Sequence, residues 1–140
     1  MTKYIILPAI TVVIILFIVN RVLEKRNINM TTRTRVALQD FTREIETIYI
    51  KNGIAPPKTN IQDTIKWILY HDKNKDSLRH LETSGVTNMI DFDLHEMYDA
   101  WGNVIQIHFT PPNEYSYISN GVNRNYDNGQ NDDIVIKLKL

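Results

Sequence analysis

Cysteine is absent from the chain. That excludes a disulfide scaffold, a thiolate zinc site and a cysteine nucleophile. Glycine and proline are scarce, five of each, and neither occurs between Ala9 and Asn52, so nothing breaks a helix over that stretch. Net charge is absent too, with 16 basic residues against 16 acidic ones. A general nucleic-acid binder would be basic, so none is expected as a partner. No Ser-His-Asp pattern, phosphate-binding glycine loop or catalytic carboxylate pair is present, and no enzyme is expected. His71, His80, His95 and His108 lack metal-ligand spacing and read as surface or rim residues. Asp91 and Asp93 flank Phe92 in the manner of an exposed edge.

What is present is unevenly distributed. Residues 1–60 hold nine basic and four acidic groups, and residues 61–140 hold seven basic and twelve acidic ones. The two parts are thus +5 and −5, and their sum hides a basic stalk followed by an acidic domain. Hydrophobic residues make up 43% and charged residues 23%, which is globular rather than disordered in character.

Tyr4–Val19 reads YIILPAITVVIILFIV, without a charge. As a helix it spans roughly 24 Å, and extension to Leu23 brings it to about 30 Å, the thickness of the hydrocarbon layer. Arg21 can snorkel to the headgroups. No small-x-small site follows the run, so a retained anchor is expected rather than a cleaved secretory signal. The positive-inside rule, applied to Arg21, Lys25, Arg26, Arg33 and Arg35, favours a cytoplasmic C-terminal domain.

Past the polar residues 24–35, Leu38, Phe41, Ile45 and Ile48 recur at helical spacing, with Val36, Ala37 and Tyr49 beside them. Asn52-Gly53 stops that helix and Pro56-Pro57 prevents its restart. One long helix over roughly 4–52 is expected. A short helix follows, capped by Thr59 or Asn60 and striped by Ile61, Ile65, Ile68 and Leu69, with Trp67 at the core or rim. Residues 77–98 offer Leu78, Leu81, Val86, Met89, Ile90, Phe92 and Leu94 as core candidates without a clean period. Three strands then read at 104–109, 115–119 and 134–140, with a turn at 110–114 and a polar loop at 120–133. The fold class is α+β, an antiparallel sheet covered by the amphipathic half of the long helix.

The loop holds Asp127, Asp132, Asp133, Asn120, Asn123, Asn125, Asn128 and Asn131, with two glycines. Adjacent carboxylates need a cation or water between them. Hard divalent cations take carboxylate, amide and carbonyl oxygens, all supplied here, although a solvated polar turn has the same composition. The spacing is not that of an EF-hand: counted from Asn123, its glycine and glutamate positions hold Asn128 and Ile134.

These residues resemble a known family, the major pseudopilins of type II secretion systems, and more broadly the type IV pilin-like proteins. The likeness covers about residues 36–134 and the plan of the anchor. Tyr49-Ile50-Lys51-Asn52-Gly53 is similar to the family's helix exit. Asp99-Ala100-Trp101-Gly102-Asn103 is similar to its D-P-W-G-N run, with Ala100 in the proline position. Tyr117–Asn123 followed by Asn131-Asp132-Asp133-Ile134 resembles its calcium loop. The resemblance implies a pilin-like fold with residues 1–3 as a flank, an anchor at 4–23, a stalk at 24–35, and a globular domain at 36–140 whose calcium loop is 117–134. It implies calcium held by Asp132 and Asp133, by Asn123 where the family has aspartate, by Asp127 from a longer stretch, and by the carbonyls of Tyr117 and Ser119. It implies a structural subunit of the bacterial inner membrane, single-pass, partnered by the lipid bilayer, other pseudopilin subunits and the secretion platform. It places the globular domain outside the cytoplasm, where calcium is abundant, against the charge count. A tethered binding module that does not polymerise is the alternative. Two family features are missing: a glycine-ended basic leader before the apolar run, and a glutamate near its start.

Overall fold

A computed structural model describes residues 3–72, 89–130 and 132–140, with the backbone alone for 3–10. Two compact units result, Met1–Met30 and Thr31–Leu140. The helix α1, Lys3–Asn52, contributes to both.

In the first unit, Val12, Val13, Ile14, Ile15, Leu16, Phe17, Ile18 and Val19 are all exposed. The apolar character therefore runs around the helix rather than along one face. The Arg21 guanidinium lies 5.4 Å from the centre of the Phe17 ring, one helical turn away, a cation–π geometry. Among the described residues, no helix is long and apolar enough to cross a membrane. The expected anchor falls partly on residues 4–10, whose side chains lie outside those described.

In the second unit, α1 changes to a one-sided helix. Thr34, Ala37, Leu38, Phe41, Ile45 and Ile48 are buried, while Val36 and Ile50 are exposed. Gly53 ends the helix in the left-handed region, at φ 66. Its N–H donates to the Tyr49 carbonyl at 2.7 Å, and a side chain at that position would disfavour the backbone conformation.

Helix α2 spans Ile61–His71. Of the two expected caps, Asn60 is the one used: its side chain accepts from the Asp63 N–H at 2.8 Å. Thr59 donates instead to the Asp63 carboxylate at 2.6 Å. Ile61, Ile65 and Ile68 are buried, and Trp67 and Leu69 pack partly buried against the core.

The ambiguous stretch 77–98 lies outside the described residues as far as 88. Beyond it, β1 (Ile90–Asp91) and β2 (Glu96–Met97) form a small hairpin. Met89 and Ile90 are buried and Leu94 is exposed. Asp91 accepts from the N–H groups of Asp93 and Leu94, each at 3.0 Å, and so shapes the turn.

The main sheet is antiparallel in the order β3 (Gln106–Thr110), β4 (Glu114–Ser119), β5 (Ile134–Lys139). The first strand starts two residues later than its alternation suggests, because Val104 is taken up in an isolated bridge to Tyr98. Every residue of β4 after Glu114 is buried, as befits a central strand. Tyr117 pairs with Ile107 on one side and Ile136 on the other. Its ring meets Phe41 of α1 edge to face, with centroids 5.7 Å apart. The covering of the sheet by the amphipathic half of α1 is thus realised at this contact, and each such side chain buried contributes about 1.5–3 kcal/mol.

Two tyrosines on the same face of β4 differ in how their hydroxyls are satisfied. Tyr115 donates to the Pro56 carbonyl at 3.0 Å. The Tyr117 hydroxyl is buried with no hydrogen-bond partner among the described residues. Burial, reinforced by Tyr115, pushes the Tyr117 phenol well above its ordinary range, and burial next to Tyr49 raises Tyr115 as well. With the folded pKa raised, the folded state keeps a proton that the unfolded chain loses near pH ~10, so stability falls as the pH rises past that value. Tyr117→Phe is expected to flatten this alkaline loss. At neutral pH it is expected to leave stability unchanged or raise it, because no partner is orphaned, whereas Tyr115→Phe costs about 1–2 kcal/mol. Thermal unfolding at neutral pH and above pH ~10 checks both. An equal neutral-pH loss in the two variants contradicts the assignment.

Candidate metal loop and its buried anchor

The polar loop 120–133 leaves β4 at Ser119 and returns at Ile134, the last pair of the β4–β5 ladder. Its entrance is held by a residue that lies in a different turn. Asp99 is 3% exposed, and a buried carboxylate is costly unless its oxygens are satisfied. Here they are. Oδ1 accepts from the N–H groups of Trp101 at 2.9 Å and Asn103 at 2.8 Å. Oδ2 accepts from the Asn103 amide at 2.8 Å and from the Ser119 hydroxyl at 2.7 Å. The Asn103 amide also donates to the Gly121 carbonyl at 2.8 Å. The Asp99–Asn103 turn therefore grips both ends of Ser119–Gly121.

The same turn reaches helix α1. The Ala100 N–H donates to the buried Thr34 hydroxyl oxygen at 2.9 Å. Proline at this position, as in the run it resembles, has no N–H to offer. Gly102 sits at φ 83, and its N–H closes the turn on the Asp99 carbonyl at 3.0 Å. Trp101 is partly buried against the core, consistent with an aromatic that fixes the turn.

Within the loop the two adjacent aspartates point to different donors. Asp132 Oδ2 accepts from the Asn123 N–H at 2.8 Å. Asp133 Oδ2 accepts from the N–H groups of Asp127 at 2.7 Å and Gly129 at 3.0 Å. Asn123 closes a local turn by accepting from the Asn125 N–H at 2.7 Å, and its amide donates to Asp127 Oδ2 at 2.7 Å. An aspartate at 123 would set two carboxylates against each other; the amide replaces that repulsion with a hydrogen bond. A Cβ on Gly121, at φ 62, would overlap the Asp132 carbonyl and carboxylate. The two sides of the loop thus touch at a neck where only glycine fits.

Of the six expected ligand residues, Asn123, Asp127, Asp132 and Asp133 are brought together in this loop by those bonds. Ser119 stands at its neck, with its hydroxyl engaged by Asp99. Tyr117, expected to contribute its backbone carbonyl, sits within β4 two residues before Ser119, paired on both sides, with its ring against Phe41. Among the described residues, no group of three or more His, Cys, Asp or Glu side chains is placed to hold a metal ion. Asp133 Oδ1 and Asn120 Oδ1 are buried without a hydrogen-bond partner among the described residues, and the donors available in the loop are all hard oxygens, the chemistry that calcium takes. Asp99 and Asn103 were not among the expected site residues. Their signal was the Asp-x-Trp-Gly-Asn run itself, in which an acid stands four residues before an amide across a glycine turn.

The chain matches no family model, no curated protein and no solved structure.

Asp99→Ala leaves two backbone N–H groups, a hydroxyl and an amide without their acceptor. A buried donor so orphaned costs about 1–3 kcal/mol. The variant is expected to lose at least about 2 kcal/mol of stability, with partial relaxation offsetting the remainder. Amide hydrogen exchange is expected to accelerate at 119–123 ahead of the centre of β4. Exchange unchanged at 119–123 contradicts the anchoring role.

Proposed function

We propose that the chain is a pseudopilin-like structural subunit, a membrane-anchored building block of a type II secretion or related pilus-like assembly. The observation that carries this is the joining of the Asp99–Asn103 turn to the neck of the loop at 119–133. The two segments that resemble the family most specifically are held together by direct hydrogen bonds, rather than lying apart in the fold. The order of elements, a long helix, a short helix and a three-stranded antiparallel sheet, agrees with a pilin-like plan. The apolar residues that surround α1 over 12–23 suit contact with lipid and with the same helix of neighbouring subunits. Arg21 and the basic residues after it suit the headgroup layer. On this reading the globular part lies outside the cytoplasm, and the inner-membrane platform and other pseudopilins are its partners.

Calcium is the proposed ligand of the loop. Asp127, Asp132 and Asp133 with the oxygen of Asn123 would hold it, joined by backbone carbonyls at the end of β4. Its contribution would be to screen the carboxylates and so to order the loop. A ligand that binds only the folded state stabilises it by RT ln(1 + [L]/Kd), about 2.7 kcal/mol at a hundredfold excess over Kd.

Two measurements test the reading. Calcium is expected to raise the melting temperature of the full chain in detergent, and Asp132→Ala combined with Asp133→Ala is expected to abolish that rise. A calcium shift that survives in the double variant removes these residues from the site, and no shift in the parent chain removes calcium. The chain has no cysteine of its own, so single cysteines can be placed along Val12–Leu23 and oxidised in native membranes. A ladder of crosslinked oligomers is expected for a subunit that assembles through this helix. Monomer alone at every position would favour a tethered binding module instead.

A further inference from the structure

Three of the five glycines follow an asparagine: Asn52-Gly53, Asn120-Gly121 and Asn128-Gly129. Such pairs carry a reaction of their own. The glycine amide nitrogen attacks the asparagine Cγ, forming an N–Cγ bond as the side-chain nitrogen leaves as ammonia. The amide proton is lost to water. Water then opens the resulting succinimide at either carbonyl, giving aspartate or isoaspartate. Glycine after the asparagine favours the attack because no Cβ shields its nitrogen. The asparagine must turn to an extended backbone for the nitrogen to reach Cγ, so the fold decides which pair reacts.

The three pairs stand in different settings. Asn52 is the last residue of α1, and the Gly53 N–H is held by the Tyr49 carbonyl at 2.7 Å. Asn120 is buried, at 8% exposure. The Gly121 N–H donates to the Ser119 hydroxyl oxygen at 3.2 Å, and Gly121 packs so closely on Asp132 that a Cβ there would overlap it. Asn128 is exposed. It forms a type I′ turn with Gly129, with φ values of 58 and 77, closed by the Gln130 N–H on the Asp127 carbonyl at 3.2 Å. Among the described residues, the Gly129 N–H is held by Asp133 Oδ2 alone, at 3.0 Å. Freeing this nitrogen opens one surface turn. Freeing the others unwinds the end of a helix or disassembles the Asp99 anchor.

We propose that Asn128 is a site of spontaneous deamidation, and that the reaction adds a carboxylate to the loop that already holds Asp127, Asp132 and Asp133. The product sets a fourth negative charge among the three, and as isoaspartate it lengthens the backbone of the turn by one carbon. Loss of the Asp133 bond is the step that admits the reaction, so the loop's age would be written in its charge. The ageing below is carried out with a calcium chelator present, so that its outcome is separate from the proposed cation.

The full chain in detergent is aged at mildly alkaline pH, folded in one arm and unfolded in urea in the other. It is then digested briefly at mildly acidic pH. Cleavage after Lys51, Lys58, Arg79 and Arg124 puts the three pairs in separate peptides, and mass spectrometry reads the gain that accompanies replacement of NH2 by OH. In the folded arm, Asn128 is expected to convert severalfold faster than Asn52 or Asn120. In urea, the three are expected to converge. Faster conversion at Asn52 or Asn120 in the folded arm, or equal rates in it, overturns the proposal. Asp133→Ala is expected to accelerate conversion at Asn128 severalfold while the parent chain supplies the primary result; an unchanged rate in a folded variant overturns the role given to the Asp133 bond.

Discussion

A single buried carboxylate organises the second unit of this protein. Asp99 lies in a short turn, yet its oxygens take donors from the turn itself and from the end of β4. Its neighbour Ala100 reaches helix α1 through Thr34. A carboxylate removed from water must be satisfied by the protein, and satisfying it fixes the groups that do so. Three segments distant in sequence, at 34, 99–103 and 119–121, are thereby placed relative to one another by a polar requirement, beside the apolar one met by Phe41 and Tyr117.

The apolar requirement works through the sheet. β4 is central and buried, and the face bearing Tyr115 and Tyr117 is the one α1 covers. The stripe on α1 and the alternation of the strands are two periodicities of the same core. Where they meet, packing decides the details that neither periodicity carries, such as which tyrosine hydroxyl finds a carbonyl and which does not. Tyr115 donates to the Pro56 carbonyl; the Tyr117 hydroxyl, further along the same face of the strand, is buried without a partner among the described residues.

Much of this was legible in the chain itself. The stripe Leu38, Phe41, Ile45, Ile48 is buried as its spacing implies, because a helix presents every third or fourth residue to one side. Gly53 and Asn60 terminate and cap helices where their chemistry suggests. The three strands fall where alternation puts them, within a residue or two. The β1–β2 hairpin was not legible, since two-residue strands are too short to show a period, and what closes it is the Asp91 side chain. That Asn123, Asp127, Asp132 and Asp133 share one polar loop was legible from the sequence, but the wiring of that loop was not. Whether a carboxylate faces a neighbour, an amide or a backbone N–H depends on the path of the loop. The reach of Asp99 was hidden for the same reason: its donors come from two and four residues on, within the turn, and from twenty residues on, and the last is a matter of tertiary structure.

The neck of the loop has a consequence in polymer terms. Gly121 against Asp132, and Asn123 bonded to the same carboxylate, bring the two sides together close to the strands. The residues between them are thus a closed ring whose ends are already fixed. For such a ring the entropy of closure grows only as the logarithm of its length, about 0.6 kcal/mol for each doubling. The sheet therefore carries little memory of how long the loop beyond the neck is. A chain built this way can lengthen or shorten at 124–126 while its strands keep their register, so that the surface it displays and the core that displays it can change at different rates.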